Sequence, residues 1–147
     1  MIELAGIRRT FHVGDQDVLA LRDVDVSIAD GEYVSIMGPS GSGKSTLLNV
    51  IGLLDRPDAG TYRLDGRDVI VLDDAEQARV RREHIGFVFQ FFHLVPYLTA
   101  EENVELPLVL AGIAPAERHE RVAAALHDMG IANRAHHRPD QLSGGQR

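Results

Sequence analysis

Residues 38–45 have the types and spacing to bind a chain of phosphates. They read GPSGSGKS and fit the pattern G-x-x-x-x-G-K-[ST] at every fixed position. The glycines let successive backbone N–H groups turn toward one anion. The Lys44 ammonium could then reach the terminal phosphates, and the Ser45 hydroxyl could ligate Mg²⁺. The pattern predicts a phosphate loop, and the alternative is a Gly/Ser-rich turn between two strands.

A phosphate loop needs a strand before it and a helix after it. Residues 33–37 form a short apolar run with strand character. Residues 45–54 are apolar on nearly every side, as a buried helix should be. The positive end of that helix would add to the attraction for phosphate.

Composition narrows the classes of protein that the chain can represent. The 147 residues are enough for one domain, and their net charge of −7 argues against a general nucleic-acid-binding surface. There is no cysteine, which excludes disulfides and thiolate metal sites and is compatible with a cytosolic location. The N-terminal residues do not read as a secretory signal. The longest apolar stretch, 104–116, is too short and too broken to span a bilayer, so we expect no direct membrane insertion.

The first part of the chain reads as mostly strands. Alternation and composition predict strands over 2–11, 18–28, 61–64 and 85–89. A polar helix is predicted to run to about residue 83 from a cap at Asp73 or Asp74. Its arginines, Arg79, Arg81 and Arg82, are interpreted as a solvated face.

The last third of the chain reads as helical. Thr99 and Glu102 fit a capping box, which opens a helix that Pro107 is expected to interrupt. Pro115 suits the first turn of another helix, which Gly130 should end. On that helix one apolar face is predicted, formed by Val122, Leu126 and Met129. We therefore divide the chain into an α/β core over 1–98 and a helical subdomain over 99–147.

Residues 142–146, LSGGQ, form a second candidate motif. A serine followed by two glycines can make an anion-binding nest or a helix start. Considered alone, the pentapeptide is explained equally well by a generic glycine turn.

Together with the phosphate loop, these five residues resemble the signature motif of the ATP-binding subunits of ATP-binding cassette (ABC) transporters. Residues 86–90 look like the strand and glutamine of that family's Q-loop. Residues 33–40, 54–57 and 102–107 are most similar to the lipoprotein-releasing and macrolide-export branch. The resemblance implies an α/β P-loop NTPase fold, an ABC-type nucleotide-binding domain with an antiparallel β subdomain and an α-helical subdomain, incomplete at the C-terminus.

The resemblance also implies roles for individual residues. Phe11 would stack on adenine where the family more often has tyrosine, although it could equally be a core strand residue. ATP and Mg²⁺ would be held by Gly38, Ser40, Gly41, Ser42, Gly43, Lys44, Ser45 and Thr46. Lys44 and Gln90 would be the catalytic residues, and Ser45 and Gln90 the Mg²⁺ ligands. Ser143, Gly144, Gly145 and Gln146 would act in trans, on ATP held by the phosphate loop of another subunit.

Partners follow from the same resemblance. It implies a head-to-tail homodimer or a paired nucleotide-binding subunit, and a transmembrane permease. The apolar segment Phe91–Leu98 would contact the permease, and the alternative is that it packs under the helical subdomain. The expected location is cytoplasmic, peripheral at the inner face of the membrane.

The end of the chain limits what it is expected to do. In the family, the Asp and Glu that organise Mg²⁺ and polarise water, and a switch His, follow the signature, so a fragment is expected here. The resemblance implies an ATP-binding and ATP-hydrolysing subunit that powers an ABC transporter for export or lipoprotein release. The alternative is a truncated remnant that binds nucleotide weakly or not at all and does not hydrolyse it. A DNA-repair-type ABC ATPase is a minor alternative, because neither sustained heptads nor cysteines are present. His136 and His137 are interpreted as a solvated pair rather than a metal site.

Overall fold

The computed structural model describes residues 1–147, which divide into two units, Met1–Phe87 and Val88–Arg147. The sequence-based division after residue 98 lies further along the chain. Residues 95–99 belong with the helical unit because Asn103 holds them. Its side-chain amide accepts from Val95 N at 2.8 Å and donates to Leu98 O at 3.1 Å. None of the helices combines the length and the apolar character that crossing a bilayer requires.

A four-stranded antiparallel sheet organises the first unit. Strand β1 (Ile2–Val13) pairs with β2 (Gln16–Ile28) on one side and with β3 (Ala59–Leu64) on the other. A two-residue strand that the sequence did not predict, β4 (Arg67–Asp68), completes the order β2-β1-β3-β4. The three strands predicted in this region, 2–11, 18–28 and 61–64, are confirmed, and each extends by two residues at one end.

Helix α1 (Lys44–Ile51) follows the phosphate loop and packs on this sheet. It ends three residues earlier than predicted, and only one of its faces is buried, through Leu47 and Val50. Leu48 is exposed, so the expectation of a helix buried on nearly every side was wrong. The hydrophobic core that α1 shares with the sheet contains Leu4, Ile7, Leu21, Leu47, Val50, Leu53, Tyr62, Val69, Leu72 and Val80.

Two predicted strands are absent. Residues 33–37 and 85–89 have strand composition, but neither segment belongs to the sheet. Tyr33 and Met37 are 94% and 88% exposed, and Val88 is fully exposed. A strand exists only where a neighbour supplies ladder hydrogen bonds, and composition cannot show whether that neighbour is present.

Helix α2 (Asp74–His84) begins at the predicted cap, where Asp73 accepts a hydrogen bond from Glu76 N at 2.8 Å. The sequence predicts that all three of its arginines are solvated, but one of them is not. The Arg81 guanidinium donates to Leu53 O at 2.6 Å and so ties α2 to the end of α1. A long side chain reaches a buried carbonyl in this way while its stem covers apolar surface.

The second unit contains α3 (Ala100–Leu110), α4 (Pro115–Asp128) and three single-turn 3₁₀ helices (Ala132–Arg134, Pro139–Gln141 and Gly144–Gln146). The capping box at Thr99 is confirmed, and Pro115 occupies the first turn of α4. Pro107 does not interrupt α3, because proline removes only one hydrogen bond and the following turns continue.

The apolar face of α4 is shorter than predicted. Val122 and Leu126 are buried, but Met129 is 76% exposed at the end of the helix. The backbone leaves the helix at Gly130, as predicted, so the last turn no longer follows the buried face. Arg118 links the two helices by donating to Glu105 at 2.7 Å.

The buried hydroxyl of Tyr62 should make the stability of the first unit depend on alkaline pH. It is buried in the core and donates its hydroxyl to Ile51 O at 2.8 Å. Burial, with a smaller effect from the Asp65 charge, raises its pKa from 10.0 to about 12. The neutral phenol is therefore favoured by folding, so its contribution is complete below pH 10 and lost as the pH rises through about 12. We expect urea titrations to show a loss of about 2–3 kcal/mol across this range.

The control is Tyr62→Phe. This variant should be about 1 kcal/mol less stable at neutral pH, because Ile51 O loses its donor. Its stability should lack the additional alkaline loss, since no buried phenol remains to ionise. Identical pH profiles for the two proteins would contradict the assignment.

Candidate functional site

Lys44 ties together the two ends of the phosphate loop. Its ammonium donates to Gly38 O at 2.8 Å and to Pro39 O at 2.6 Å, and lies 3.4 Å from the Ser42 hydroxyl. A further turn forms where Ser42 N donates to Pro39 O at 3.3 Å. The loop is therefore a closed ring around one cationic side chain.

The loop rests against a bulge in β2. The pairing of β1 with β2 skips Ala20, because Arg9 pairs with Leu21 and Thr10 with Leu19. The Ala20 carbonyl lies so close to Gly43 that a Cβ at Gly43 would overlap it. The bulge thus places the strand in direct contact with the start of α1.

The start of α1 offers unused backbone donors. Gly43 is the cap residue, and the first hydrogen bond of the helix runs from Leu47 N to Gly43 O at 2.8 Å. The N–H groups of residues 44–46 precede that bond, so no helical carbonyl can accept from them. Together with the helix dipole they favour an anion at this position.

Phe11 and the loop line one cavity. It has a volume of about 350 Å³ and is bounded by Phe11, Val18, Leu19, Ala20, Ser40, Gly41, Ser42, Gly43, Lys44, Ser45 and Thr46. The structure therefore brings together Phe11 and seven of the predicted loop residues. Gly38 does not line the cavity, but it accepts the Lys44 hydrogen bond.

The chemistry of the lining is divided between its two ends. Phe11, Val18 and Leu19 provide an apolar wall, and the loop provides hydroxyls, backbone N–H groups and one ammonium. No aspartate or glutamate lines the cavity. A ligand with a flat apolar part and a polyanionic part matches this division, and ATP is such a molecule. Ser45 brings one hydroxyl oxygen, which suits Mg²⁺ because that ion takes few protein ligands when phosphates supply others.

Three charged residues behind Phe11 were missed by the sequence interpretation. The Arg9 guanidinium lies over the Phe11 ring and pairs with both Asp55 and Asp58. Hydrogen bonds from Thr10 N and from Arg9 hold the pKa of Asp58 below its usual value. The available signal was the run Asp55 to Asp58 in a loop, which nothing in the sequence connects to β1.

The signature residues lie in the second unit, in one exposed turn. Ser143 N donates to Gln146 Oε1 at 3.1 Å, and Gln146 N donates to Ser143 O at 3.0 Å. Leu142 anchors the turn in the core of this unit, while Ser143, Gly144 and Gly145 are exposed. Gln90 belongs to the same unit and is exposed in a bend.

The segment Phe91–Leu98 follows Gln90 and keeps much of its apolar surface in solvent. Phe91 and Tyr97 are 70% and 81% exposed, and Phe92 and Val95 are also exposed. The Arg147 guanidinium lies 5.7 Å from the centroid of the Phe92 ring. Four large apolar side chains within eight residues form an exposed patch of the kind that marks partner surfaces.

His136 is exposed, with Nδ1 3.2 Å from a Glu101 carboxylate oxygen. No group of three His, Cys, Asp or Glu side chains has a geometry that could hold a metal ion.

Comparisons with known proteins agree on one family. The family model for "ABC transporter" matches residues 21–147. The macrolide export ATP-binding/permease protein MacB of Marinobacter nauticus is 56% identical over 146 residues, which are 99% of this chain and 23% of that protein. An uncharacterised ABC transporter ATP-binding protein of Bacillus subtilis is 52% identical over 147 residues, all of this chain and 64% of that protein.

A solved structure gives the same result. It is the dimeric structure of a post-hydrolysis state of an ATP-binding cassette bound to ADP and Pi. It is 47% identical, superposes with a TM-score of 0.87, and is matched over 99% of this chain and 65% of its own length. The chain thus spans about a quarter of the exporter and just under two thirds of the other two proteins.

Proposed function

Since the chain belongs to the ABC transporter family of ATP-binding domains, we propose that it binds the ATP that powers an ABC transporter for export or lipoprotein release. The observation that carries this proposal is the cavity that joins Phe11 to the phosphate loop. Its apolar wall and its cationic, donor-rich floor match the two halves of one nucleotide.

Each half of the nucleotide has its residues. The base stacks on Phe11, whose aromatic surface gives contact area at low entropic cost. The triphosphate lies on the backbone N–H groups of the loop and of the start of α1, where the helix dipole favours negative charge. Lys44 exchanges its two carbonyl partners for phosphate oxygens, which make stronger, charge-assisted hydrogen bonds. Ser45 is the proposed Mg²⁺ ligand of the loop, and the corresponding role of Gln90, which belongs to the second unit, stays a prediction from the sequence.

The signature turn acts on a nucleotide held by a second subunit. Ser143, Gly144 and Gly145 are exposed and face no Cβ-sized obstruction at either glycine, so their donors are accessible to a partner. Gln146 fixes the turn through its two hydrogen bonds to Ser143. The solved structure of the related cassette is dimeric and bound to ADP and Pi, which supports the proposal that two subunits pair here.

The exposed segment Phe91–Leu98 is the proposed contact with a transmembrane permease. Its aromatic side chains would be covered in that contact, which removes an otherwise unfavourable apolar patch. The exporter relative is named as an ATP-binding/permease protein, so the two functions occur together in that protein. The chain would then lie at the cytoplasmic face of the membrane, held there by the permease.

Residues 1–147 supply binding rather than water activation in this proposal. A general base must lie within hydrogen-bond reach of the attacking water, and the cavity is lined by no carboxylate. Hydrolysis by the complete transporter therefore requires a carboxylate placed beside the cavity in the assembled enzyme.

Calorimetric titration of the purified chain tests the proposal. We expect one saturable site for ATP with Mg²⁺, and no heat from adenosine at the same concentrations, because most of the binding energy comes from the phosphates. Phosphate release from bound ATP should remain at the rate of a protein-free control. Absence of ATP binding would overturn the proposed function. Rapid phosphate release would overturn the restriction to binding.

A further inference from the structure

Arg9 and Phe11 stand two residues apart on β1, so their side chains project from the same face of the strand. The Arg9 Cζ atom lies 4.8 Å from the centroid of the Phe11 ring. A guanidinium over an aromatic face is a favourable cation–π arrangement. One face of the Phe11 ring is therefore covered by a cation from its own strand.

The guanidinium is held in place by two carboxylates. Arg9 Nε and Nη2 donate to the two Asp55 oxygens at 2.9 and 2.7 Å, in the bidentate form that fixes both distance and plane. Arg9 Nη1 donates to Asp58 at 2.7 Å. The Arg9 and Asp55 side chains are only 23% and 21% exposed, so these bonds are partly shielded from water.

The carboxylates are in turn fixed to backbone. Asp58 accepts from Thr10 N at 2.7 Å and donates its own N–H to Arg8 O at 2.8 Å. Asp55 accepts from Arg56 N at 2.9 Å. Arg9, Asp55 and Asp58, here called the Arg9 frame, are thus hydrogen-bonded to the backbone of β1 on both sides of Arg9. The guanidinium therefore has little freedom to rotate away from Phe11.

The net charge of the Arg9 frame argues against a direct role for these residues in attracting phosphate. One guanidinium and two carboxylates leave a net charge of about −1 at neutral pH. Phe11 lines the cavity and Arg9 does not. Arg9 can therefore affect the cavity only by fixing the position of the Phe11 ring that it covers.

We propose that Arg9 is a positioning residue that fixes the Phe11 ring for stacking on the nucleotide base. The role rests on the proposed function, because it requires a base beside Phe11. Asp55 and Asp58 contribute by holding the Arg9 guanidinium in place. The effect on affinity is confined to ligands that carry a base.

The test compares ATP with inorganic tripolyphosphate, each with Mg²⁺, by calorimetry on the 147-residue chain. Arg9→Gln should raise the dissociation constant for ATP about fivefold, by loss of the cation–π contact and of ring order. The constant for tripolyphosphate should stay within about twofold of the parent value, since that ligand touches only the loop. Phe11→Ala should weaken ATP at least as much, and adding Arg9→Gln to it should have no further effect.

Two further variants keep the comparison sharp. Arg9→Lys keeps the charge but not the planar fork, so it should fall between the parent and Arg9→Gln, and it carries the test if Arg9→Gln unfolds. Arg8→Gln is the matched control, because Arg8 is next to Arg9 on β1, projects from the opposite face of that strand, and pairs with Asp23 of β2. It should leave both constants unchanged.

The possible failures can be told apart. A parent chain that binds neither ligand overturns the proposed function and this role together. Unchanged ATP affinity in both Arg9 variants overturns the role alone. Equal weakening of ATP and tripolyphosphate also overturns it, because that result describes a general distortion of the site.

Discussion

Replacing Lys44 by alanine is expected to weaken ATP binding at least about a hundredfold, because charge-assisted hydrogen bonds of roughly 1.5–3 kcal/mol each are lost. Lys44 is the only cation that lines the cavity. Its present partners are carbonyls of the exposed loop, so the folded state should lose little. Calorimetric titration with ATP and Mg²⁺ measures the effect, and thermal unfolding shows that the variant is folded.

Arg67→Ala is the control for charge alone. It removes one positive charge from an exposed pair with Glu76, away from the cavity lining. It should bind ATP as the parent chain does. An unchanged ATP affinity in Lys44→Ala would contradict the proposal that this loop binds the phosphates.

Gly43→Ala is expected to destabilise the first unit by about 3 kcal/mol or more, through two separate penalties. The residue has φ +86°, which costs any side chain energy. A Cβ would also overlap the Ala20 carbonyl oxygen and lie 3.2 Å from Leu21 Cδ2. Either the loop or the β2 bulge must move, so ATP affinity should fall with stability. Urea denaturation and calorimetry measure the two effects.

Gly41→Ala separates strain from overlap. Gly41 has a similar φ of +80°, but a Cβ there would meet nothing within 4 Å. This variant should lose only the backbone term, about 1–2 kcal/mol. Equal losses in the two variants would mean that the contact between Gly43 and the bulge has no energetic importance.

The parts of the fold that the sequence predicted are those whose cause is local. The caps at Asp73 and Thr99 formed as predicted, because each needs only a side chain and an N–H three residues away. The phosphate loop is a contiguous motif, and Lys44 and Ser45 lie in one lining as its pattern implies. A second short motif, at residues 142–146, occurs with it, and the two together are specific to the ABC family.

The features that the sequence predicted wrongly or missed depend on residues that are distant along the chain. The apolar runs 33–37 and 85–89 resemble strands, but strand formation is decided by a neighbour and not by composition. Arg9 is joined to Asp55 and Asp58 across more than forty residues of chain, and no short-range pattern marks such a pair. Ala20, whose carbonyl lies against Gly43, is the residue that the pairing of β1 with β2 skips, and such a bulge is not visible in alternation alone.

The central claim is that ATP binds with its phosphates at Lys44, and the chain permits a direct measurement. Lys44 is its only lysine, so an amine-reactive reagent has two targets, the Lys44 ammonium and the N-terminal amine of Met1. The amine of Met1 pairs with Asp30 and Asp65 and does not line the cavity, which makes it an internal reference. Mass spectrometry then gives both modification rates with and without ATP and Mg²⁺.

Saturating ATP should slow modification of Lys44 at least about tenfold, because the bound phosphates hydrogen-bond the ammonium and block access of the reagent to the amine. Modification of Met1 should be unchanged, and adenosine should protect neither group. Equal rates at Lys44 with and without saturating ATP would contradict the assignment of this loop as the phosphate site.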